Sequence, residues 1–203
     1  MSEDSKVLRV LGFLDQLKGG DQKARDGLLT LAFDRLTQLA HVMLRDYPSV
    51  SRWEQTDDVL QSAAMRLHRA LAEVTPATPR DFYRLAAAQI RRELLDLARR
   101  HSGPHGLGAN HESHDLFHDR GPLAVACDDS HDPARLAEWS ALHEQAGALP
   151  DELGLAFDLI YYQGLTRTEV AEVLGVSERT VKRYWQQARL ALHDALGGRL
   201  PGV

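Results

Sequence analysis

The sequence predicts an all-α protein: two small helical domains joined by a flexible linker, the second containing a helix-turn-helix. Three observations lead there. Apolar residues recur at spacings of three and four through the first hundred positions, and again after residue 132. No β-branched alternating run competes with that period. Between residues 101 and 132 the period lapses, and Gly, Pro, Asp and His dominate.

The N-terminus, MSEDSKVLRVLGFLDQLKGGD, places acidic residues ahead of the first basic one and holds no long apolar run. It reads as a helix start rather than a signal peptide. Leu28, Leu31, Ala32, Leu36, Leu39, Ala40 and Met43 then form one apolar helix face, stopped at Tyr47-Pro48-Ser49 because the residue before proline avoids the helical region. A second stripe, Val59, Leu60, Ala63, Ala64, Leu67 and Leu71, follows Thr56 or Asp57 as N-cap. After the breaker Thr75-Pro76-Ala77-Thr78-Pro79, a helix is expected from about Arg80 to Arg100, with Leu85, Ala88, Leu94, Leu95 and Ala98 inward. Domain boundaries at 1–100, 101–132 and 133–203 follow. Helices resume at Asp132-Pro133, a capping residue and a proline suited to a first turn. That helix ends near Gly147, and another runs from about Pro150 to Gly164.

The stretch Thr166–Leu190 is the most informative. Thr166 with Glu169 makes a capping box, Gly175 supplies a left-handed stop, and Ser177 caps the next helix. Val170, Ala171, Val173 and Leu174 face inward on the first helix, and Val181, Trp185, Ala188 and Leu192 on the second. Small size at Ala171 lets the two helices approach. The second helix therefore turns Arg179, Thr180, Lys182, Arg183 and Gln186 outward near its N-terminal end, the end that enters a major groove. Arg179 and Arg183 suit base edges and phosphates equally.

Charge supports a nucleic-acid partner only locally. The chain carries a net charge of −5, made of +2 over residues 1–100, −5 over 101–134 and −2 over 135–203. From Ser177 to His193, however, Arg179, Lys182, Arg183 and Arg189 face Glu178 alone, and affinity for DNA follows the local patch. In the first domain Phe82, Tyr83 and Arg84 lie just after the proline breaker, with Gln89, Arg91 and Arg92 on the same helix. Aromatics with arginines suit stacking on unpaired bases, and equally a core with a solvated face.

Other classes fall away. There is no Gly-rich phosphate loop, no nucleophile elbow and no paired carboxylates in a plausible pocket, so no enzyme and no cofactor is expected. No apolar run is long enough to span a membrane. A single cysteine, Cys127, precludes an internal disulfide and fits a reducing cytoplasm, the expected location. Six of the ten histidines, His101, His105, His111, His114, His118 and His131, sit in or beside the linker. Three neutral imidazoles in a flexible segment preorganise little, so no metal is expected there.

The order of these parts resembles a bacterial RNA polymerase sigma factor of the extracytoplasmic-function (ECF) group. The resemblance rests on Asp57-Asp58-Val59-Leu60-Gln61 with Leu67-His68-Arg69-Ala70-Leu71, on Phe82-Tyr83-Arg84-Leu85-Ala86, and on Leu94-Leu95-Asp96-Leu97-Ala98-Arg99-Arg100. It continues through Leu149-Pro150, Tyr162-Gln163-Gly164-Leu165-Thr166, Glu169-Val170-Ala171 and Thr180-Val181-Lys182. It implies a first domain that grips core RNA polymerase and opens the proximal promoter element, and a second that reads the distal element. By that resemblance Asp57, Asp58 and Gln61 would face the polymerase, and Tyr83, Gln89, Arg91 and Arg92 would lie near the melted strand. Promoter DNA is the other implied partner, and an anti-sigma factor or other regulatory protein is compatible with it. The chain departs from the pattern twice: Ala88, followed by Gln89, stands where many members carry asparagine, and Arg183-Tyr184-Trp185 follows the Val-Lys pair where Ser-Arg-Leu is frequent. The competing reading is a free-standing helix-turn-helix regulator with an N-terminal sensor or dimerisation domain. Such a regulator would be expected to show a long apolar seam near a terminus, and none stands out beyond the core stripes.

Overall fold

The computed structural model describes residues 5–44, 53–102 and 133–201. Among the described residues the protein is all-helical. Helix α1 spans Lys6–Lys18, α2 Lys23–Leu44, α3 Trp53–Glu73 and α4 Pro79–Ser102. After the second gap come α5 (Pro133–Gly147), α6 (Asp151–Phe157), a π-helical turn (Asp158–Tyr162), α7 (Arg167–Leu174) and α8 (Glu178–Ala195). The predicted linker, with His105, His111, His114, His118, His131 and Cys127, lies outside the described residues from 103 to 132.

Local chemistry accounts for most starts and stops. Ser5 accepts from the Val7 N–H at the head of α1, whose Val7, Val10, Leu14 and Leu17 are buried. The predicted α2 face is buried, except that Leu31 is half-buried. Helix α4 opens on Pro79, and Thr78 and Asp81 cap it reciprocally through side-chain and backbone bonds of 3.1 and 3.2 Å.

Two expectations are corrected. Helix α3 spans Trp53–Glu73, so the backbone of Thr56 and Asp57 lies inside it rather than at its start; Trp53-Glu54-Gln55 contains no breaker, and extending a helix costs little once it is nucleated. On α4, Ala88 is exposed and Leu85 and Leu95 are half-buried, whereas Phe82, Tyr83, Ala86, Ala87, Ile90, Leu94, Leu97 and Ala98 are buried. The reason is position: α4 packs against α1, α2, α3, α5, α7 and the π-turn, so a broad face is covered.

The two halves share their interior. One core joins Leu36, Met43, Ile90, Leu94 and Leu97 to Leu136, Trp139, Leu142, Phe157, Tyr162 and Leu192. The other joins Leu14, Leu28, Leu71 and Phe82 to Leu155, Leu159, Leu165, Val170 and Val181. The π-turn, which the sequence reading did not anticipate, is closed by the Gln163 N–H on the Asp158 carbonyl at 3.1 Å. It carries Tyr161 and Tyr162 into the core side by side. Carbonyls of the turn and of the chain just after it are met by cations from the first half. Arg35 donates twice to the Tyr161 carbonyl, at 2.6 and 3.2 Å, and Lys6 Nζ donates to the Gly164 carbonyl at 2.9 Å. Gly164 is required there: φ is +62°, and a Cβ would lie 3.2 Å from Arg35 Nε.

Candidate nucleic-acid interface

The α7–α8 unit is built by local bonds. The Thr166 hydroxyl accepts from the Glu169 N–H, and Glu169 Oε2 accepts from the Thr166 N–H at 2.8 Å. Burial works against the Glu169 carboxylate, but the bonds from Thr166 and Lys6 outweigh it and hold its pKa below the usual range. Helix α7 ends at Gly175, with φ 65° and ψ 33°. The Val176 N–H returns to the Ala171 carbonyl (3.1 Å) and the Gly175 N–H to Glu172 (3.4 Å). This paired closure needs a left-handed residue, and no atom lies within 4 Å of where a Cβ would be. Backbone conformation alone therefore demands glycine here. Ser177 then caps α8 by accepting from the Thr180 N–H at 3.2 Å.

Val181 enters one core and Ala188 and Leu192 the other. Trp185 stacks on Phe157, ring centroids 5.4 Å apart. Anchored so, α8 leaves Arg179, Lys182, Arg183 and Gln186 exposed on one face, with Thr180 half-buried beside them. The acid of the first turn is engaged elsewhere: Glu178 Oε1 accepts from the Thr168 hydroxyl at 2.8 Å, tying α8 to α7. Arg183 sits over the Tyr184 ring, 5.5 Å from its centroid. The outcome is a cationic, hydrogen-bonding surface at a helix N-terminus with its neighbouring carboxylate occupied.

The first-half candidates have a different setting. Phe82 is fully buried and Tyr83 nearly so, the two rings 5.3 Å apart, so in this arrangement neither is open to a base. They act as core anchors because a ring at this position meets α1, α3 and the second half at once. Arg84 and Arg92 are exposed and Gln89 is half-buried. Arg91 is only 17% exposed and is paired with Asp158, itself 14% exposed. Its guanidinium lies 5.1 Å from the Tyr162 ring centroid. Burial lowers the Arg91 pKa, and Asp158 and Tyr162 more than compensate, so it stays above the ordinary value.

Arg91 is one of a row. Arg80 approaches Glu152 (3.9 Å), Arg84 approaches Asp151 (4.0 Å) and Arg99 meets Glu144 (3.2 Å). Four arginines along α4 thus face carboxylates from the second half. Neither these carboxylates nor Arg80 and Arg99 are among the site residues predicted from sequence. Gln61 is exposed on α3. Asp57 and Asp58 fall in the same helix, and their side chains lie outside the described residues.

Among the described residues no cluster of His, Cys, Asp or Glu is placed to hold a metal, and no helix is long and apolar enough to cross a membrane. The ECF sigma factor family profile matches residues 8–198. A curated relative, the probable RNA polymerase sigma factor RfaY of Xanthomonas campestris pv. campestris, is 27% identical over an alignment of 203 residues. That alignment covers 94% of this chain and 46% of the relative, so the chain spans about half that relative's length. With the match running through both halves, the chain belongs to the ECF sigma factor family.

Proposed function

We propose that the chain is a promoter-specificity subunit: it binds core RNA polymerase and directs it to particular promoters. The observation that carries this is the α8 surface of Arg179, Lys182, Arg183 and Gln186, exposed at a capped N-terminus with Glu178 tied back to Thr168. That face reads the distal element, with Thr180 beside it. Asp57, Asp58 and Gln61 on α3 bind the polymerase, the acidic pair in the sequence suiting a basic partner. Arg84, Gln89, Arg91 and Arg92 serve the melted proximal strand once α4 is uncovered. In the closed arrangement Arg84 and Arg91 face Asp151 and Asp158, so strand contact requires the second half to move away. The division into residues 1–100, 101–132 and 133–203 is, on this reading, a division of labour, with an anti-sigma factor as a further partner of the closed or open form.

Co-purification with core polymerase followed by run-off transcription tests the proposal. Stoichiometric binding with promoter-dependent transcripts is expected. Tight binding to an operator by the chain alone, with no initiation, would instead establish a free-standing regulator. Within the holoenzyme, Arg183→Ala should cost about 1–3 kcal/mol at promoters carrying its base and little at those altered there. An equal loss on every sequence makes Arg183 a phosphate contact. Asp57→Arg with Asp58→Arg should weaken polymerase binding at least about tenfold with unchanged helicity by circular dichroism. A loss of helicity would make the pair structural.

A further inference from the structure

A cavity of about 160 Å³ lies where α1, α2, the start of α4 and the chain after the π-turn meet. Lys6, Arg9, Asp34, Arg35, Tyr83 and Gln163 line it. Two of these side chains are buried and lack partners: Gln163 is 6% exposed with an unpaired Nε2, and Tyr83 is 3% exposed with an unpaired hydroxyl. The amide nitrogen can only donate, and the phenol donates wherever an acceptor is offered. Buried groups of this kind cost free energy unless something fills the space and accepts from them.

The third sign is charge. Arg35 is half-buried, yet its bonds run to neutral acceptors, the Tyr161 carbonyl and Gln38 Oε1. Burial accordingly pulls its pKa below the ordinary arginine value. Lys6 Nζ uses one N–H on the Gly164 carbonyl and keeps two. Arg9 is exposed at the mouth. The one carboxylate in the lining is Asp34, which is exposed; Glu169 and Glu172 line the neighbouring groove, where Glu169 already accepts from Thr166 and from the Lys6 backbone and Glu172 is exposed. Water would satisfy the Gln163 and Tyr83 donors but would bring no negative charge to Arg35.

We propose that this cavity binds a phosphate-sized oxyanion, either free or as the terminal group of a small phosphorylated molecule. Arg9, Lys6 and the Gln163 amide hold it, in front of Arg35. An adjoining groove of about 830 Å³ shares Lys6 and Arg9 as its wall and has room for the remainder of a phosphate ester. Gln163 comes from the second half and the cations from the first, so a bound anion bridges the halves and stabilises the closed arrangement by mass action.

The test uses the full chain. Inorganic phosphate and glycerol 3-phosphate are titrated separately by calorimetry at constant ionic strength, with chloride as the balancing anion. Saturable heat in the millimolar range or tighter is expected, with a matching rise in melting temperature. Arg9→Gln, at an exposed site, and Gln163→Glu, which puts a carboxylate in the cavity, should each weaken binding about tenfold or more. Tighter binding of the ester assigns a phosphorylated molecule, and equal or tighter binding of phosphate assigns the free ion. No saturable heat with either anion, or unchanged affinity in Arg9→Gln, overturns the proposal and leaves the cavity to water.

Discussion

Asp158→Ala is expected to lower the free energy of unfolding by about 3–5 kcal/mol, the usual penalty for removing one partner of a buried ion pair. Asp158 and Arg91 are 14% and 17% exposed, and the pair joins the π-turn to α4 at the centre of the shared interior. Without the carboxylate, Arg91 keeps its charge against the Tyr162 ring, and its Nε already has no hydrogen-bond partner. The cost therefore comes from stranding a cation more than from losing an attraction. Urea denaturation of wild type and variant at neutral pH measures it. A double replacement, Arg91→Met with Asp158→Leu, should recover most of the loss by substituting packing for charge. A penalty below about 1 kcal/mol for Asp158→Ala would place the pair among solvent-screened surface bridges and refute this account of the seam.

The second large effect is acid sensitivity centred on His143. Its ring lies between Trp139 and Tyr162, and Nδ1 is 2.8 Å from the Tyr162 hydroxyl. Burial, helped by the nearby Arg91 charge, pushes its pKa from 6.5 down to about 3. The native imidazole is thus neutral, and above pH 6.5 it is neutral in the unfolded chain as well, so it makes no difference there. As pH falls from about 6.5 toward 3, only the unfolded chain takes up the proton. Stability should then fall by about 1.4 kcal/mol per pH unit on account of this residue alone. The charged group facing it is Arg91, held in turn by Asp158, and neither offers the imidazolium a counter-charge free of other duty. Unfolding free energies from pH 7.5 to 4.5 should therefore show a steeper slope in the wild type than in His143→Gln. Parallel slopes would mean that His143 titrates as an accessible histidine.

What the sequence made legible follows from the range of the interactions. Thr166 with Glu169, Gly175 and Ser177 act over at most five residues, and each stands as read, as does the outward set of α8 apart from the half-buried Thr180. The aromatics at 82 and 83 show the opposite case. A ring beside an arginine looks alike whether it stacks on a base or fills a core, and only the arrival of α1, α3 and the second half around α4 decides it. The broad burial of α4, the π-turn and the Arg91–Asp158 pair are tertiary, the last joining residues 67 apart. No local period encodes a pairing at that distance. The α3 start differs for a smaller reason, since an acidic residue such as Asp57 is favourable within a helix's first turns as well as at its cap.

The row of arginines along α4 has unequal members. Arg80, Arg84 and Arg99 meet their carboxylates in the open, where dissolved salt weakens them readily, whereas the Arg91 bond is sheltered. Rising ionic strength accordingly erodes the clasp from its two ends and leaves the middle fastened. Separation of the halves then resembles unbuttoning toward a single stud, and the energy of that stud, rather than the number of pairs, sets how often the α4 face is bared.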